Sequence, residues 1–333
     1  MKNISRDYNI DWLKNIAIYL VIILHLLCNG VNKNGFDISL TLYYTGVFAI
    51  PLLFMISGYL HLKKENDYNY VIKKILKILF ICFTWNLIPF IYSLFIKHKY
   101  ISIFYLIISS FSQEGTFWHF WFLGSLIILY LFLIPLQKLI KKYNVYKIIT
   151  LLLLVTCITI NIITIYSNFK GLGITKSKVT QSLRIWIWLL YYMIGGIMTK
   201  IDYKKINNKK RLYILTIIMI IITIVYELLF CNILYSSKFA ENFYDSIIVM
   251  ITSSLIFISF KTLIIDKKHY STYLQYNMGI YIIHIFIINF LTPLHLFNNN
   301  YINIFWSIII LLISISITHI LSKTPFLNKI IKI

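Results

Sequence analysis

The chain has 333 residues, 59% of them hydrophobic and only 13% charged, and its mean hydropathy is +0.78. That composition excludes a water-soluble globule, so the net charge of +21 is read as a topology signal and not as the footprint of a nucleic-acid partner. Cys28, Cys82, Cys157 and Cys231 lie in or at the ends of separate apolar runs, without metal or redox spacing, and read as soft core residues; no metal and no tightly bound cofactor is expected.

A membrane span needs about 20 mainly apolar residues, and ten runs meet or approach that length. The first, 11–29, begins "DWLKNIAIYLVIILHLLC" and carries Lys14 and His25. The second, 40–61, contains "PLLFMISGYL" with Ser57, and Lys73, Lys74 and Lys77 lead into the third, 75–96. The fourth, 118–137, opens within "TFWHFWFLGS", which holds Trp118, His119, Trp121 and Phe122. The fifth and sixth cover 146–166 and 184–200, the seventh and eighth 211–231 and 244–264. The ninth, 275–293, contains His284 in "NMGIYIIHIF", and the tenth covers 302–322. None alternates with period two, so the expected fold class is all-α, a polytopic membrane helix bundle of about ten spans. No connection has the composition of a soluble domain, including the longest exterior one at 97–117, and a single domain over 1–333 is expected.

Basic residues assign the orientation. Alternate loops and termini carry 23 lysines and arginines against 8 in the other set, with Lys14 set aside. The positive-inside rule then puts both termini in the cytoplasm, as an even span number requires. No small-residue cleavage site follows the first run, which reads as retained.

Ionisable residues within spans call for a partner, a cavity or a task. Lys14 and His25 are eleven residues apart, which is three turns plus about 20° and roughly 16 Å along a helix, so they share one stripe. Lys14 either snorkels to the cytoplasmic interface, with Asp11 as a partner, or meets a ligand. His25 and His119 fall at one depth on the exterior side, and His284 falls near the midplane. Each is either an interhelical hydrogen-bonding residue or a proton-transfer or ligand group. Trp118, Trp121 and Phe122 also read as an interfacial aromatic belt. Glu227, Asp245 and Arg184 read as interface markers at exterior span ends. His61, His98, His269, His295 and His319 lie at span ends or in loops, where water is at hand.

Five segments in order resemble the acyltransferase 3 family of membrane acyltransferases. They are "DWLK" with a histidine eleven residues after its lysine, "PLLFMISGYL" followed by basic residues, "FWHFWFL" at 117–123, "WIWLLYYMIGGIM" at 186–198, and "NMGIYIIH" at 277–284. The likeness is greatest to the compact branch similar to the enterobacterial common antigen O-acetyltransferase. Lys14 departs from the arginine that many members carry, and a lysine offers a point charge in place of a bidentate fork.

The resemblance implies an acyl-coenzyme A donor and a carbohydrate or glycolipid acceptor, with an acyl group that is acetyl on family frequency, in a multi-pass protein of the bacterial cytoplasmic membrane. In that frame Lys14, helped by Lys73, Lys74 or Lys77, meets phosphate from the cytoplasmic side. His25 acts as general base at the thioester, or is itself acylated. His119 aligns His25 or donates to the oxyanion beside Trp118 and Trp121. His284 and Ser57 are further substrate-binding candidates, Ser57 beside a glycine that equally suits helix packing. The competing reading is a transporter or lipid-linked-sugar flippase, though no pair of interrupted spans marks an inverted repeat. A polysaccharide polymerase would need a larger exterior loop. A purely structural role leaves Lys14 and His25 unexplained.

Overall fold

The computed structural model describes residues 7–27, 38–263, 275–294, 296–297 and 300–332. Cys28, His269 and His295 lie outside the described residues, as do Lys2, Arg6, Lys33, Lys267 and Lys268 of the topology count. Thirteen α-helices and no strand occur among the described residues: α1 (Tyr8–Leu27), α2 (Ile38–Thr45), α3 (Ala49–Leu62), α4 (Tyr68–Phe95), α5 (Ile103–Phe111), α6 (Trp121–Lys141), α7 (Tyr143–Phe169), α8 (Ile185–Met198), α9 (Lys209–Tyr235), α10 (Ile247–Thr262), α11 (Asn277–Leu291), α12 (Asn300–Ser322) and α13 (Pro325–Lys329).

Eight of the ten expected runs form helical segments long and apolar enough to cross a membrane. The other two are α8 and α10, with 14 and 16 residues. At 1.5 Å per residue these reach only about 21 to 24 Å, short of the ~30 Å hydrocarbon core. A short helix is tolerated where protein and not lipid surrounds it, and α8 has no exposed residue along its length. The outer helices α7, α9 and α12 instead present rows such as Leu151, Leu152, Val155, Ile214, Ile218 and Ile221 at the bundle surface. A surface of that kind suits acyl chains, which supply no reason to hide leucine or isoleucine.

Glycines set the central crossing. A Cβ on Gly58 of α3 would lie 1.9 Å from the Tyr192 carbonyl oxygen, and one on Gly195 of α8 would lie 2.0 Å from that of Met55. Each glycine thus admits the other helix's backbone, the close approach that small residues permit in membranes. Gly196 turns to α7, where the Tyr146 hydroxyl donates to the Met193 carbonyl at 2.9 Å.

The second run is continuous in hydropathy but broken in backbone. A 3-10 turn over Gly46–Phe48 separates α2 from α3. Pro51 has no N–H to offer the Val47 carbonyl one turn back, so α3 starts afresh at Ala49. The expected loop at 97–117 also contains structure, the nine-residue α5, with Phe104, Tyr105 and Ile108 exposed.

The start of α1 is tied to the end of α10, and the tail after α13 lies along α4 past its middle. Asn9 Nδ2 donates to the Phe260 carbonyl, and Lys261 Nζ sits 2.5 Å from Asp7 Oδ2. The Trp85 indole donates to the Ile330 carbonyl at 3.0 Å, holding the tail after α13 against α4. At the opposite end of α10, Lys176 Nζ lies 2.6 Å from Asp245 Oδ1 and donates to the Asn242 carbonyl, while Asn161 shares the same carboxylate. Burial pushes the Lys176 ammonium pKa down and the Asp245 carboxylate beside it opposes that shift. Here the expectation of interface markers is corrected. Asp245, Arg184 and Glu227 are all buried, because the loop after α7 folds over the bundle and brings Lys176 in with it.

Candidate active site

The stripe on α1 faces inward. Lys14, Ile18, Val21 and His25 follow one another at spacings of four, three and four residues, and each lines a cavity. They do not line the same one. Lys14 and Ile18 border a chamber of about 520 Å³, whereas Val21 and His25 border another of about 320 Å³. Only Phe122 and Tyr281 belong to both linings, their ring centroids 5.7 Å apart, so the wall between the chambers is about one side chain thick.

The larger chamber is cationic. Lys14, Lys64, Lys74 and Lys332 line it, together with Ser57, Asn66, Gln275 and Asn277. Ser57 spends its hydroxyl on the Leu53 carbonyl at 2.8 Å. Of the three basic residues expected before α4, Lys74 borders the chamber; Lys73 is exposed and outside it, and Lys77 is half-buried and outside it. Lys73 and Lys77, four positions apart, share a helical face, while Lys74 is rotated about 100° from Lys73 and reaches the chamber. His61, set aside as a water-exposed span end, also lines this chamber, with Tyr130 and Tyr192 rings at 5.1 and 6.2 Å.

The smaller chamber has an imidazole floor. His25 stacks on His284 at 5.4 Å between centroids with 18° between planes, and His284 meets His119 edge-on at 5.5 Å. Three elements therefore converge, α1, α11 and the 3-10 turn Trp118–Phe120 ahead of α6. His25 is half-buried and lines the chamber, as does His119; His284 is wholly buried beneath them. The Nδ1 of His284 lies 3.1 Å from the Ile280 carbonyl and must carry the proton there, leaving Nε2 as a lone pair with no partner among the described residues. Both ring nitrogens of His119 are likewise buried and unpartnered among those residues. The Tyr281 hydroxyl donates to the His119 carbonyl and fixes that turn against α11.

Trp118 packs edge-on against His25 at 4.7 Å, and Trp121 lines the chamber while stacking on Trp188 at 5.2 Å. Those rings are interior and not an interfacial belt. Sequence reasoning missed Gln113, Tyr43 and Glu241 on the opposite side of this chamber and Lys64 and Lys332 in the other. Tyr281 had a usable signal, being three residues before His284 on one helical face. Tyr43 lies on α2 among other apolar residues that mask it, and the rest come from irregular segments or the tail with no periodicity to mark them.

A helical membrane bundle with an imidazole cluster behind a cationic chamber defines a polytopic membrane protein built to work on a ligand in its interior. The chain belongs to the acyltransferase 3 family: a family model described as an acyltransferase domain matches residues 7–322. It is accordingly a multi-pass membrane acyltransferase, with an acyl donor, an acceptor and the bilayer as its partners. No curated protein and no solved structure matches it.

Proposed function

We propose that this single-domain protein moves an acyl group, acetyl on family frequency, from acyl-coenzyme A to a hydroxyl of a cell-envelope or exported carbohydrate, in a bacterial cytoplasmic membrane. The observation that carries the reading is the pairing of a four-lysine chamber with one lined by His25 and His119 over buried His284, across the Phe122 and Tyr281 wall. Coenzyme A is a long molecule with phosphates at one end and a thioester at the other, and it needs an elongated, electrically asymmetric site. The lysine chamber suits the phosphates and is bordered by Lys14 near the start of α1 and by Lys64 and Lys74 of the basic segment running from the end of α3 into α4, a side that the positive-inside rule assigns to the cytoplasm. The pantetheine arm reaches His25 past Phe122 and Tyr281, whose rings are in contact at 5.7 Å between centroids and must part to admit it.

The chemistry then balances without further groups. A ring nitrogen of His25 takes the proton from the acceptor hydroxyl as its oxygen attacks the thioester carbonyl carbon. The tetrahedral intermediate collapses, the C–S bond breaks, and the proton passes from the imidazolium to the departing thiolate. His284, stacked on His25 and anchored through Ile280, is a positioning residue. A neutral imidazole has one N–H, and no described residue accepts that of His119, which is therefore placed as the oxyanion donor.

Membranes containing the full chain, incubated with acetyl-coenzyme A labelled in the acetyl group, should place label on envelope carbohydrate, and membranes lacking the protein should not. Carbohydrate that moves across the membrane without any acyl-coenzyme A requirement would point to a flippase and overturn the reading.

A further inference from the structure

The histidine chamber also indicates which acceptors it takes, an inference that rests on the acyl-transfer reading above. Among its lining residues the carboxylate of Glu241 is present and no lysine or arginine is. Glu241 Oε2 accepts from Gln181 Nε2 at 2.9 Å, which aims the side chain and leaves the other oxygen for a ligand. Gln181 is wholly buried, and its Oε1 has no partner among the described residues.

Gln113 completes the arrangement. Its φ of 66° is a left-handed backbone that a residue with a Cβ adopts rarely and that recurs at functional sites. Its Oε1 accepts from the Gln181 backbone N–H at 3.0 Å, so the donor end of the amide is the one left over at the chamber. Tyr43, Trp118 and Tyr244 supply aromatic surface around these groups.

Two cations lie near enough to Glu241 to attract it, yet outside the chamber lining. Lys176 is held by Asp245 and the Asn242 carbonyl, and the Arg184 Nε donates to the Val179 carbonyl at 2.9 Å. Both are buried and line neither chamber. A ligand in the chamber therefore meets one carboxylate, an amide donor and ring faces. Hydroxyls donate to the first and accept from the second, while the C–H face of a sugar lies on the aromatics. A carboxylate or phosphate on the same ring would share about 320 Å³ with Glu241 and find no lysine or arginine in the lining to pair with.

We propose that Glu241, aimed by Gln181 beside Gln113, selects an acceptor ring that is neutral or amine-bearing and rejects one carrying a carboxylate or phosphate. Three probes with one aglycone separate charge from shape: p-nitrophenyl β-glucoside, the matching glucuronide, and its neutral glucuronamide. They are titrated calorimetrically into the full chain in lipid nanodiscs. The glucoside and glucuronamide should bind at least about 10-fold tighter than the glucuronide, because like charges juxtaposed in a binding site are strongly disfavoured. Glu241→Gln should shrink that ratio to within about threefold, and Glu241→Lys should invert it, since each removes or reverses the repelling charge. Acetyl-coenzyme A affinity, read in the same samples, should be unchanged in both variants and reports that they are folded.

A glucuronide that binds wild type as well as the glucoside overturns the proposal, as does a ratio unmoved in a folded Glu241→Gln, or a wild type that binds none of the three. Those results leave the acyl-transfer reading standing wherever acetyl-coenzyme A still binds. Absence of acetyl-coenzyme A binding to wild type removes that reading itself.

Discussion

The two chambers share a helix stripe and a wall yet differ in electrostatics. One is bordered by Lys14, Lys64, Lys74 and Lys332; the other by His25, His119 and Glu241. Helix α1 contributes to both, so the contrast comes from what closes over each. The basic segment running from the end of α3 into α4 and the tail bring lysines, whereas the Trp118–Phe120 turn, α11 and the segment before α10 bring imidazoles, aromatics and a carboxylate. A polytopic protein can thus place a lysine-lined chamber and an imidazole-lined one about 16 Å apart along one helix, provided a wall keeps the cations from the imidazoles. Phe122 and Tyr281 are that wall.

The largest effect should come from the histidine side. His25→Ala removes the proposed base and should lower transfer by about 10²- to 10⁴-fold, with insertion into membranes unchanged; labelled acetyl transfer by isolated membranes measures it. Full turnover in that variant would break the division of labour between the chambers.

Next in size is a structural break on the same side. Asp245→Ala leaves Lys176 buried without its counter-ion and should cost about 3 to 5 kcal/mol. Thermal unfolding in detergent measures the loss. Asp245→Ala combined with Lys176→Met should recover much of it, because removing both charges removes the orphaned one.

The lysine side should respond in donor affinity alone. Lys14→Ala should raise the apparent KM for acetyl-coenzyme A about tenfold, close to the loss of one charge-assisted contact, with little change in acceptor KM, while Lys14→Arg retains most of the affinity. Steady-state kinetics with donor and acceptor varied in turn separates the two, and an equal shift in both KM values would mean the wall does not divide the ligands.

Smallest of all is Lys73→Ala, which removes an exposed charge outside the chamber. Donor KM should stay within about twofold of wild type, since an exposed, fully hydrated charge outside the lining contributes little and is screened by salt. A loss as large as that for Lys14→Ala would redraw the chamber's border.

Much of this site was visible in the residues. Lys14 and His25 stood out because ionisable groups in a span are costly, and their spacing put them on one stripe that does line the interior. Trp118, Trp121, His119 and His284 sat in segments whose order matched the family, and all four lie at or beneath the histidine chamber. Less visible was that His284 lies between the other two imidazoles, since depth along an axis says nothing about rotation between helices. His61 was passed over because a span end and a chamber mouth look alike in hydropathy. Gln113, Glu241 and Lys332 gave no signal, being contributed by irregular segments whose positions depend on everything they pack against.

By itself the sequence determined the all-helical class, the ten apolar runs and the inward stripe of α1. Each of these follows from local rules: backbone groups must bond within a segment in lipid, and side chains recur at 3.6 residues. Only the tertiary structure decided that the stripe opens onto two chambers, that α8 is surrounded by protein that tolerates its short length, and that a carboxylate joins the imidazoles in lining the smaller one. Those outcomes depend on how helices far apart in sequence rotate and cross, at places such as the Gly58 and Gly195 contact. Packing between helices is a sum over many weak contacts with no periodic trace in any one of them.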